Sequence, residues 1–326
     1  MRRHTARQRG AALLMAMLTV VLVVTIASAA LWQQWRAIEI EAAERQRSQA
    51  GWILTGALDW ARLILREDAR GNQNSGNADH LGEPWAMPLE EARLSSFLAV
   101  DKDNSADSVM QAFLSGEVID LQSRLNFMNV VRVTGSGAQT KAELSRPDLD
   151  SLTRLFQLLD LPQTELDAAS QALLASLRAA ATEPAPSATP LVPTRYAQLA
   201  WLGLSPASLA ALEPHLTVLP ERTLLNLNTA SAQAISASIP GLDLAQAQRI
   251  VAERERSPFK TLIDVRQVAP GLPADQPDSQ HHDVRSRYFE VRGRLRLDGA
   301  IIEERSLVVR DGLVIRVRWR ERAALG

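Results

Sequence analysis

The hydrophobic positions form an uninterrupted run near the start of the chain and a helical pattern after it. Residues 11–31 carry no charge, no proline and no glycine. As an α-helix rising about 1.5 Å per residue, this stretch matches the roughly 30 Å hydrocarbon layer of a membrane. Strong helix formers continue from residue 32 without a breaker, and apolar residues keep helical spacing to about residue 68. The pattern predicts one helix of roughly 55 residues, membrane-spanning at first and amphipathic afterwards.

Apolar and charged residues alternate near the C-terminus, which is typical of strands. Residues 289–297 and 317–320 show this alternation, and the pairs Asp298-Gly299 and Asp311-Gly312 are hairpin signals. We expect a three-stranded antiparallel meander over residues 286–320, with one face buried on the second half of the long helix. The other face is expected to be solvated or to meet an acidic partner, because it is rich in arginine: Arg292, Arg294, Arg296, Arg316, Arg318 and Arg320.

A helical pattern lies between the long helix and this meander. One strand is expected first, over residues 111–121 with an irregularity at Gly116, and helical spacing dominates after about residue 147. Proline-rich residues 182–193 are expected to form an extended linker. Short polar motifs predict helix starts at Thr164–Asp167, Ser205-Pro206, Asn228-Thr229 and Thr261–Asp264. The sequence therefore predicts a long helix packed on an antiparallel sheet, with a helical insertion between the strands of that sheet.

Composition narrows the classes of function. The 326 residues are enough for about two domains, and the net charge of −1 becomes −5 when the four arginines of the first ten residues are removed. Such a balance does not favour nucleic acid as a partner. The chain has no cysteine, which excludes disulfides, thiolate metal sites and cysteine nucleophiles.

The flanks of the apolar run predict its orientation. Basic residues precede it, so we expect a cytoplasmic N-terminus, a single pass through the inner membrane and a periplasmic remainder. An ordinary secretory signal peptide cut after Ala29 is the alternative, and the helical character that continues beyond Ala29 argues against it. We expect Trp32 and Trp35 at the outer membrane–water boundary, and Trp52 and Trp60 as packing residues.

A basic leader that ends in Gly10, an apolar segment and a long amphipathic helix together resemble the signature of type IV pilins and pseudopilins. The resemblance implies that a prepilin peptidase cuts between Gly10 and Ala11 and that the new terminus, Ala11, is N-methylated. Family members usually carry glutamate at the fifth mature position, where this chain has Met15. That glutamate is thought to pair with the terminal amine of the subunit ahead, inside lipid, where an unpaired charge is costly. Met15 therefore suits a subunit at the end of a filament.

The second half of the insertion resembles a helix-hairpin-helix unit. The matching segments are residues 224–231, 239–242, 247–251, 254–259 and 262–265. In DNA-binding versions a Gly-apolar-Gly hairpin offers backbone amides to a phosphate, with lysines beside it. Here Asp243 stands at the second glycine, and residues 242–247 contain no basic side chain. A protein-facing module is favoured, and a membrane-anchored DNA-binding protein of a competence-type system is the alternative.

These features combined resemble the K-type minor pseudopilin of the type II secretion system. The resemblance implies an α+β pseudopilin fold with a large all-α, helix-hairpin-helix (SAM-like) insertion. It also implies a structural, non-enzymatic role at the tip of the pseudopilus, where the subunit helps to initiate and cap the filament for protein export across the outer membrane. The implied partners are the other minor pseudopilins, the major pseudopilin, the prepilin peptidase and the inner membrane, with no nucleic acid.

The expected domain organisation follows from this reading. A leader occupies residues 1–10 and the transmembrane part of the long helix residues 11–31. The rest of that helix and the first part of the pseudopilin domain cover residues 32–131. The helical insertion covers residues 132–285, the closing strands residues 286–320 and a tail residues 321–326.

Candidate chemistry is sparse, with no catalytic constellation and no expected cofactor. Asp101, Asp103 and Asp107 have the first spacings of a calcium loop, as the family's acidic calcium-binding loops would suggest. That loop lacks the turn glycine and the closing glutamate, so a solvated loop is the alternative. His281 and His282 are adjacent in an extended segment, where neighbouring side chains diverge, and we do not expect a metal there. A secreted enzyme is disfavoured for want of catalytic residues.

Overall fold

The structure is a computed structural model that describes residues 6–75, 78–94, 112–135, 141–180, 191–297 and 300–325. It divides into two compact units, Met1–Gly56 and Ala57–Gly326. The first unit contains the beginning of helix α1 (Ala6–Ser75). Side chains 11–48 are all exposed, and α1 is the one described helix that is long and apolar enough to cross a membrane. The predicted long apolar helix is confirmed, and it continues past residue 68 to Ser75.

The second unit is built on a five-stranded antiparallel sheet. Its strands are β1 (Leu89–Arg93), β2 (Ala112–Asp120), β9 (Tyr288–Leu297), β10 (Ala300–Asp311) and β11 (Val314–Leu325), in the order β1-β2-β9-β10-β11. The predicted meander is therefore confirmed, and its second turn is the two-residue Gly312-Leu313, with Gly312 at φ +59°. Strand β11 extends beyond residue 320 into the segment that we assigned to a tail.

The part of α1 that belongs to the second unit packs on one face of this sheet. Leu58, Ala61 and Leu65 of the helix share a buried cluster with Phe289, Val308 and Ile315 of the strands. The indole of Trp85 meets the ring of Phe289 edge-on, with 5.1 Å between ring centroids. Burial of this apolar surface is the main term that holds the helix on the sheet.

Gly116 borders an irregularity on one side only. It pairs in register with Gly293 of β9, whereas the pairing with β1 shifts register between Leu89, opposite Gly116, and Ala92, opposite Leu114. A Cβ at Gly116 would lie 2.8 Å from the carbonyl oxygen of Arg292, so the glycine permits a close approach of the two strands.

The segment between β2 and β9 is mainly helical. Its helices are α2 (Arg146–Leu158), α3 (Gln163–Ala180), α4 (Pro206–Leu212), α5 (Ala232–Ser238), α6 (Leu244–Arg256) and α7 (Leu262–Val268). Residues of α2 and α3 share one core with Phe127 and Leu199, and residues of α5, α6 and α7 share a second with Leu227 and Phe259. These cores explain why the apolar spacing in this region was helical.

The expectation of an all-α insertion was wrong. Strands β4 (Val131–Thr134) and β5 (Lys141–Leu144) form an antiparallel hairpin. Two parallel pairs are also present, β3 (Leu125–Asn126) with β6 (Leu216–Thr217) and β7 (Leu225–Asn226) with β8 (His282–Asp283). Pairs of two residues are too short to leave an alternating pattern in the sequence, and they form because distant segments meet.

Two of the four predicted helix starts are confirmed. Ser205 caps α4 by accepting a hydrogen bond from the backbone N–H of Ser208, and Thr261 and Asp264 form a capping box at α7. Helix α3 begins at Gln163, so Thr164 lies within its first turn. Ser231, not Asn228 or Thr229, caps α5. Asn228 instead exchanges two hydrogen bonds with the backbone of Phe259.

The expected packing role of two tryptophans and the expected side of Arg320 were also wrong. Trp52 and Trp60 are exposed by 76% and 59%, so they are not packing residues within this chain. Arg320 lies on the helix-facing side of the sheet, because a bulge between the Val317 and Trp319 pairings reverses the alternation of β11. Arg292 and Arg296 lie on the other side and pair with carboxylates of neighbouring strands, which include Glu117 and Glu91.

Candidate functional site: a buried polar junction

One arginine joins four segments of the chain at the end of the sheet. The guanidinium of Arg310, on β10, donates hydrogen bonds to Asp68 of α1 at 2.8 Å, to Asp79, and to the carbonyl oxygen of Ser286 at 2.7 Å. Its side chain is 9% exposed and that of Asp79 is 2% exposed. Because both charges are removed from water, the pair is retained only with these additional hydrogen bonds.

Glu83 holds the end of α1 against the segment that follows it. Its carboxylate accepts hydrogen bonds from the Trp85 indole N–H at 2.7 Å, the His80 backbone N–H at 2.9 Å and the Asn72 side-chain amide at 3.1 Å. Asn72 also contacts Asp68 at 3.3 Å. The polar residues that end the helix are thus part of the same network as Arg310.

Asp120, the last residue of β2, is the centre of the second half of the network. Its Oδ2 accepts hydrogen bonds from Ser286 Oγ at 2.6 Å and Thr229 Oγ1 at 2.5 Å, and its Oδ1 from the Gln122 N–H at 2.8 Å. No cation pairs with this carboxylate in the part of the chain that the structure describes. Burial raises its pKa to about 6, although the hydrogen bonds act in the opposite direction.

Asn226 of β7 connects the two halves. Its side-chain amide donates to Asp120 Oδ2 at 3.2 Å, to Ser286 Oγ at 2.9 Å and to the backbone oxygen of Asp79 at 3.1 Å. Pairing of β7 with β8 places the start and the end of the segment 225–285 side by side. Both ends of this segment are therefore fastened to the sheet, at the end where α1 also terminates.

The junction holds more negative than positive charge. In the described part of the chain, Arg310 is the one cation that pairs within the group of Asp68, Asp79, Glu83 and Asp120. Burial, followed by the charge of Glu83, raises the pKa of Asp68 to about 7. Carboxylate oxygens of Asp68, Asp79 and Glu83 lie within 4.8 Å of one another, which is a distance suitable for a bound cation. Because the Arg310 guanidinium already donates to two of these three groups, we assign the cluster a structural role.

The residues of the predicted processing site lie on α1. The helix starts at Ala6, so the bond between Gly10 and Ala11 lies within it. The side chain of Met15 is 70% exposed. The predicted calcium ligands Asp101, Asp103 and Asp107 lie outside the described residues.

The two adjacent histidines are held by the segment before them. Nδ1 of His281 lies 2.9 Å from the Asp278 carboxylate, and Nδ1 of His282 lies 3.1 Å from the Asp278 carbonyl oxygen. Burial lowers the pKa of His282 to about 4, so its ring is neutral near pH 7. Among the described residues the histidines belong to no group of three metal ligands.

Asp243, which stands at the second glycine of the expected hairpin motif, is the N-cap of α6. Its carboxylate accepts a hydrogen bond from the Gln246 backbone N–H at 2.7 Å, and the Gln246 side chain accepts one from the Asp243 N–H at 3.0 Å. The N-terminus of α6 is thereby capped by the chain itself. The Gln246 amide at that helix end is therefore already bound by a carboxylate of the chain.

Sequence reasoning missed the junction. None of Asp68, Asp79, Asp120 and Arg310 was singled out as a site residue. One signal was present, since Arg310 follows the apolar residues 307–309 in a strand. Its partners lie 231 and 242 residues away, which no local pattern can indicate.

Comparisons with known proteins agree on one family. Residues 225–285 match the family model described as type II secretion system (T2SS), protein K. Type II secretion system protein K of Pseudomonas aeruginosa is 28% identical over 289 residues, which cover 87% of this chain and 83% of that protein. A chain in the crystal structure of the GspK-GspI-GspJ complex of enterotoxigenic Escherichia coli matches with a TM-score of 0.55 at 16% identity, over 86% of this chain and 98% of that one.

The long helix that starts apolar and exposed and then packs on an antiparallel sheet gives an α+β fold that fits the matched chain of that complex. The helical segment fastened at the sheet end distinguishes this chain from a plain helix-on-sheet subunit, and the family model matches that segment. Similarity to type II secretion system protein K extends over most of the chain, and the comparisons together support a minor pseudopilin of that system.

Proposed function

We propose that this minor pseudopilin forms the tip of the type II secretion pseudopilus as a structural, non-enzymatic subunit. There it helps to start the filament and caps it for protein export across the outer membrane. Its partners are other minor pseudopilins and the major pseudopilin. Support for the partners comes from the fold match to a chain of a GspK-GspI-GspJ complex.

The observation that carries the capping role is the attachment of the helical segment. Asn226 and Ser286, at its two ends, bind Asp120 at the sheet end where α1 terminates. In a filament whose subunits align their long helices, a neighbour would stack beyond that end. A body held there by buried hydrogen bonds obstructs such stacking, whereas a flexibly tethered body would move aside.

We further infer how the chain is anchored and processed. The exposed apolar run of α1 spans the inner membrane once, with the basic leader in the cytoplasm and the bulk of the chain in the periplasm. Prepilin peptidase cuts between Gly10 and Ala11, and Ala11 becomes N-methylated. Met15 places an uncharged, exposed side chain where other subunits carry the glutamate that pairs with the subunit ahead.

We propose that α5, the Pro240-Gly241 turn and α6 form a helix-hairpin-helix unit that faces protein. Gly241 has φ +78°, which suits a tight hairpin between the two helices. The self-capped Asp243 supports a protein-facing role and gives no support to DNA binding. In this proposal the pseudopilin domain consists of residues 32–131 and 286–320, and the insertion of residues 132–285.

The proposal includes no cofactor. The calcium loop at Asp101, Asp103 and Asp107 stays a prediction, and isothermal titration of the full chain in detergent with calcium tests it. Heat of binding that disappears in the triple aspartate-to-asparagine variant supports the site. Absence of heat together with an unchanged melting temperature contradicts it.

Mass spectrometry of the mature chain tests the processing, and Met15→Glu tests the tip position. We expect an N-methylated Ala11 terminus. In cells, the Met15→Glu variant should gain no secretion activity, because no subunit lies ahead to supply an amine, while Met15→Leu serves as the size-matched control. Secretion that requires a carboxylate at residue 15, or crosslinks that place another copy of the chain above this one, would contradict the capping role.

A further inference from the structure

Strand β11 lies at one edge of the sheet formed by the described strands. In the order β1-β2-β9-β10-β11, this strand is terminal, and no strand among the described residues pairs with its outer side. It runs for 12 residues, whereas the opposite edge strand β1 has five. An edge strand presents unpaired N–H and C=O groups and is a template for an added strand.

The register identifies which peptide groups face outward. The two-residue turn makes Arg310 and Ile315 a pair that does not exchange hydrogen bonds with each other. The contacts agree, since the Arg310 N–H donates to Arg287 and the Ile315 carbonyl oxygen accepts from Arg62 at 2.9 Å. Beyond the bulge, the same alternation makes the peptide groups of Arg322 and Ala324 face outward.

The two halves of this edge differ. Near the turn, Arg62 of α1 covers the outward carbonyl of Ile315, and the bulge at residues 317–319 disrupts the spacing of the edge. From Arg320 to Leu325 the pairing with β10 is regular and the sequence contains no proline or glycine. This second half has the geometry that an added strand requires.

Charge selects the kind of strand that fits. Arg320 and Arg322 flank the buried carboxylate of Glu304, with closest contacts of 2.6 Å each. The Arg322 side chain is 41% exposed, and Arg318 is exposed beside the bulge. Like charges on opposite strands destabilise pairing and opposite charges stabilise it. A second copy of β11 would therefore be repelled, whereas a segment with acidic residues at alternate positions matches the edge.

We propose that the outer edge of β11, from Glu321 to Leu325, docks an extended acidic segment of another pseudopilin subunit as an added strand. The inference rests on the proposed role in the filament and specifies the surface used there. Basic side chains on an edge strand also oppose nonspecific pairing with other strands. The same charges favour an acidic strand and disfavour a basic one.

A matched pair of variants at one residue tests the backbone part of the proposal. Arg322→Ala removes the ion pair with Glu304 and keeps the outward N–H, whereas Arg322→Pro also removes that N–H and leaves the hydrogen bonds to β10 intact. We expect Arg322→Pro to weaken association of the full chain with co-expressed pseudopilins in detergent by about tenfold more than Arg322→Ala. Circular dichroism and melting temperature should show that both variants are folded.

Site-specific crosslinking tests the identity of the occupant. The chain has no cysteine, so Ala323→Cys introduces a unique thiol beside the edge, and Ala168→Cys on α3 is an exposed control away from it. We expect Ala323→Cys to crosslink to an acidic segment of a pseudopilin, as mapped by mass spectrometry, and Ala168→Cys not to.

The outcomes separate this proposal from the proposed function. Equal association of the two Arg322 variants, with pseudopilins still bound, overturns edge docking and leaves the minor-pseudopilin role intact. A crosslink between two copies of the chain overturns it in favour of self-association. Wild-type chain that binds no pseudopilin overturns both proposals.

Discussion

Asp120 Oδ2 and the Asn226 side-chain amide lie 3.2 Å apart, although the two residues are separated by 106 positions in the sequence. Asp120 ends a strand of the main sheet, and Asn226 opens the segment that matches the family model. Their contact is fully buried and joins the sheet to the helical segment within the second unit.

The first prediction concerns pH and Asp120. The pKa of this carboxyl is about 6 in the folded state, above its usual value, so the folded state binds more protons between about pH 4 and 6. Its contribution to the free energy of unfolding is therefore full at low pH and is lost as pH rises through 6. We expect Asp120→Asn to remove this dependence, which amounts to at most about 3 kcal/mol.

Urea denaturation of the detergent-solubilised chain at pH 4.5, 6 and 7.5 checks this, with the difference between wild type and variant as the readout. The asparagine also alters hydrogen bonds with Ser286 and Thr229, but that cost is the same at each pH. His282, with its lowered pKa, has the opposite pH dependence, and it cancels because both proteins retain it. A difference that does not change with pH would show that Asp120 is ionised throughout.

The second prediction concerns Arg310. Arg310→Met leaves Asp79 and Asp68 buried beside each other without a cation, and we expect a loss of about 3–5 kcal/mol in the free energy of unfolding. Arg316→Met is the matched control, because that arginine forms an exposed pair with Asp311, and its loss should cost less than about 1 kcal/mol. Denaturant unfolding measures both. If Asp79→Asn in the Arg310→Met background recovers no stability, the buried charge is not the cause.

The elements of this fold that could be predicted are those with a long local pattern. Helix α1 and the meander β9–β11 repeat their periodicity over 10 to 70 residues. Many positions in each element therefore indicate which of its faces is buried. The junction of Asp120, Asn226 and Arg310 leaves no such pattern, because each member stands alone and its partners come from distant segments. The bulge at β11 reversed the expected side of Arg320 for a related reason, since one inserted residue shifts all later positions.

The third prediction concerns Asn228, which was expected to cap a helix and instead links two segments. It donates to the Phe259 carbonyl oxygen at 2.8 Å and accepts from the Phe259 N–H at 2.9 Å, and it is 2% exposed. Asn228→Ala leaves both backbone groups unsatisfied and should cost about 2–4 kcal/mol. Gln246→Ala, which breaks the exposed capping box at Asp243, should cost about 1 kcal/mol or less.

Hydrogen exchange distinguishes a local from a global effect of Asn228→Ala. We expect faster exchange in α5, α6 and α7, which share one core with Phe259, and little change in β9 and β10. Uniformly faster exchange across the sheet would instead show that the helical segment and the sheet unfold together.

The fourth prediction compares two glycines that occupy opposite environments. At Gly116 an added methyl group would lie 2.8 Å from the Arg292 carbonyl oxygen, so Gly116→Ala must push β2 and β9 apart, and we expect a loss of about 1–3 kcal/mol. Gly56 is an exposed position of α1, and a methyl group added there would contact nothing within 4 Å besides its own helix backbone. Gly56→Ala should therefore increase stability by about 0.5–1 kcal/mol through helix propensity. Thermal melts followed by circular dichroism should shift in opposite directions. If Gly116→Ala instead raises the melting temperature as Gly56→Ala does, the added methyl group fits at Gly116. That result would contradict the close approach of β2 and β9 at the Gly116–Gly293 pair.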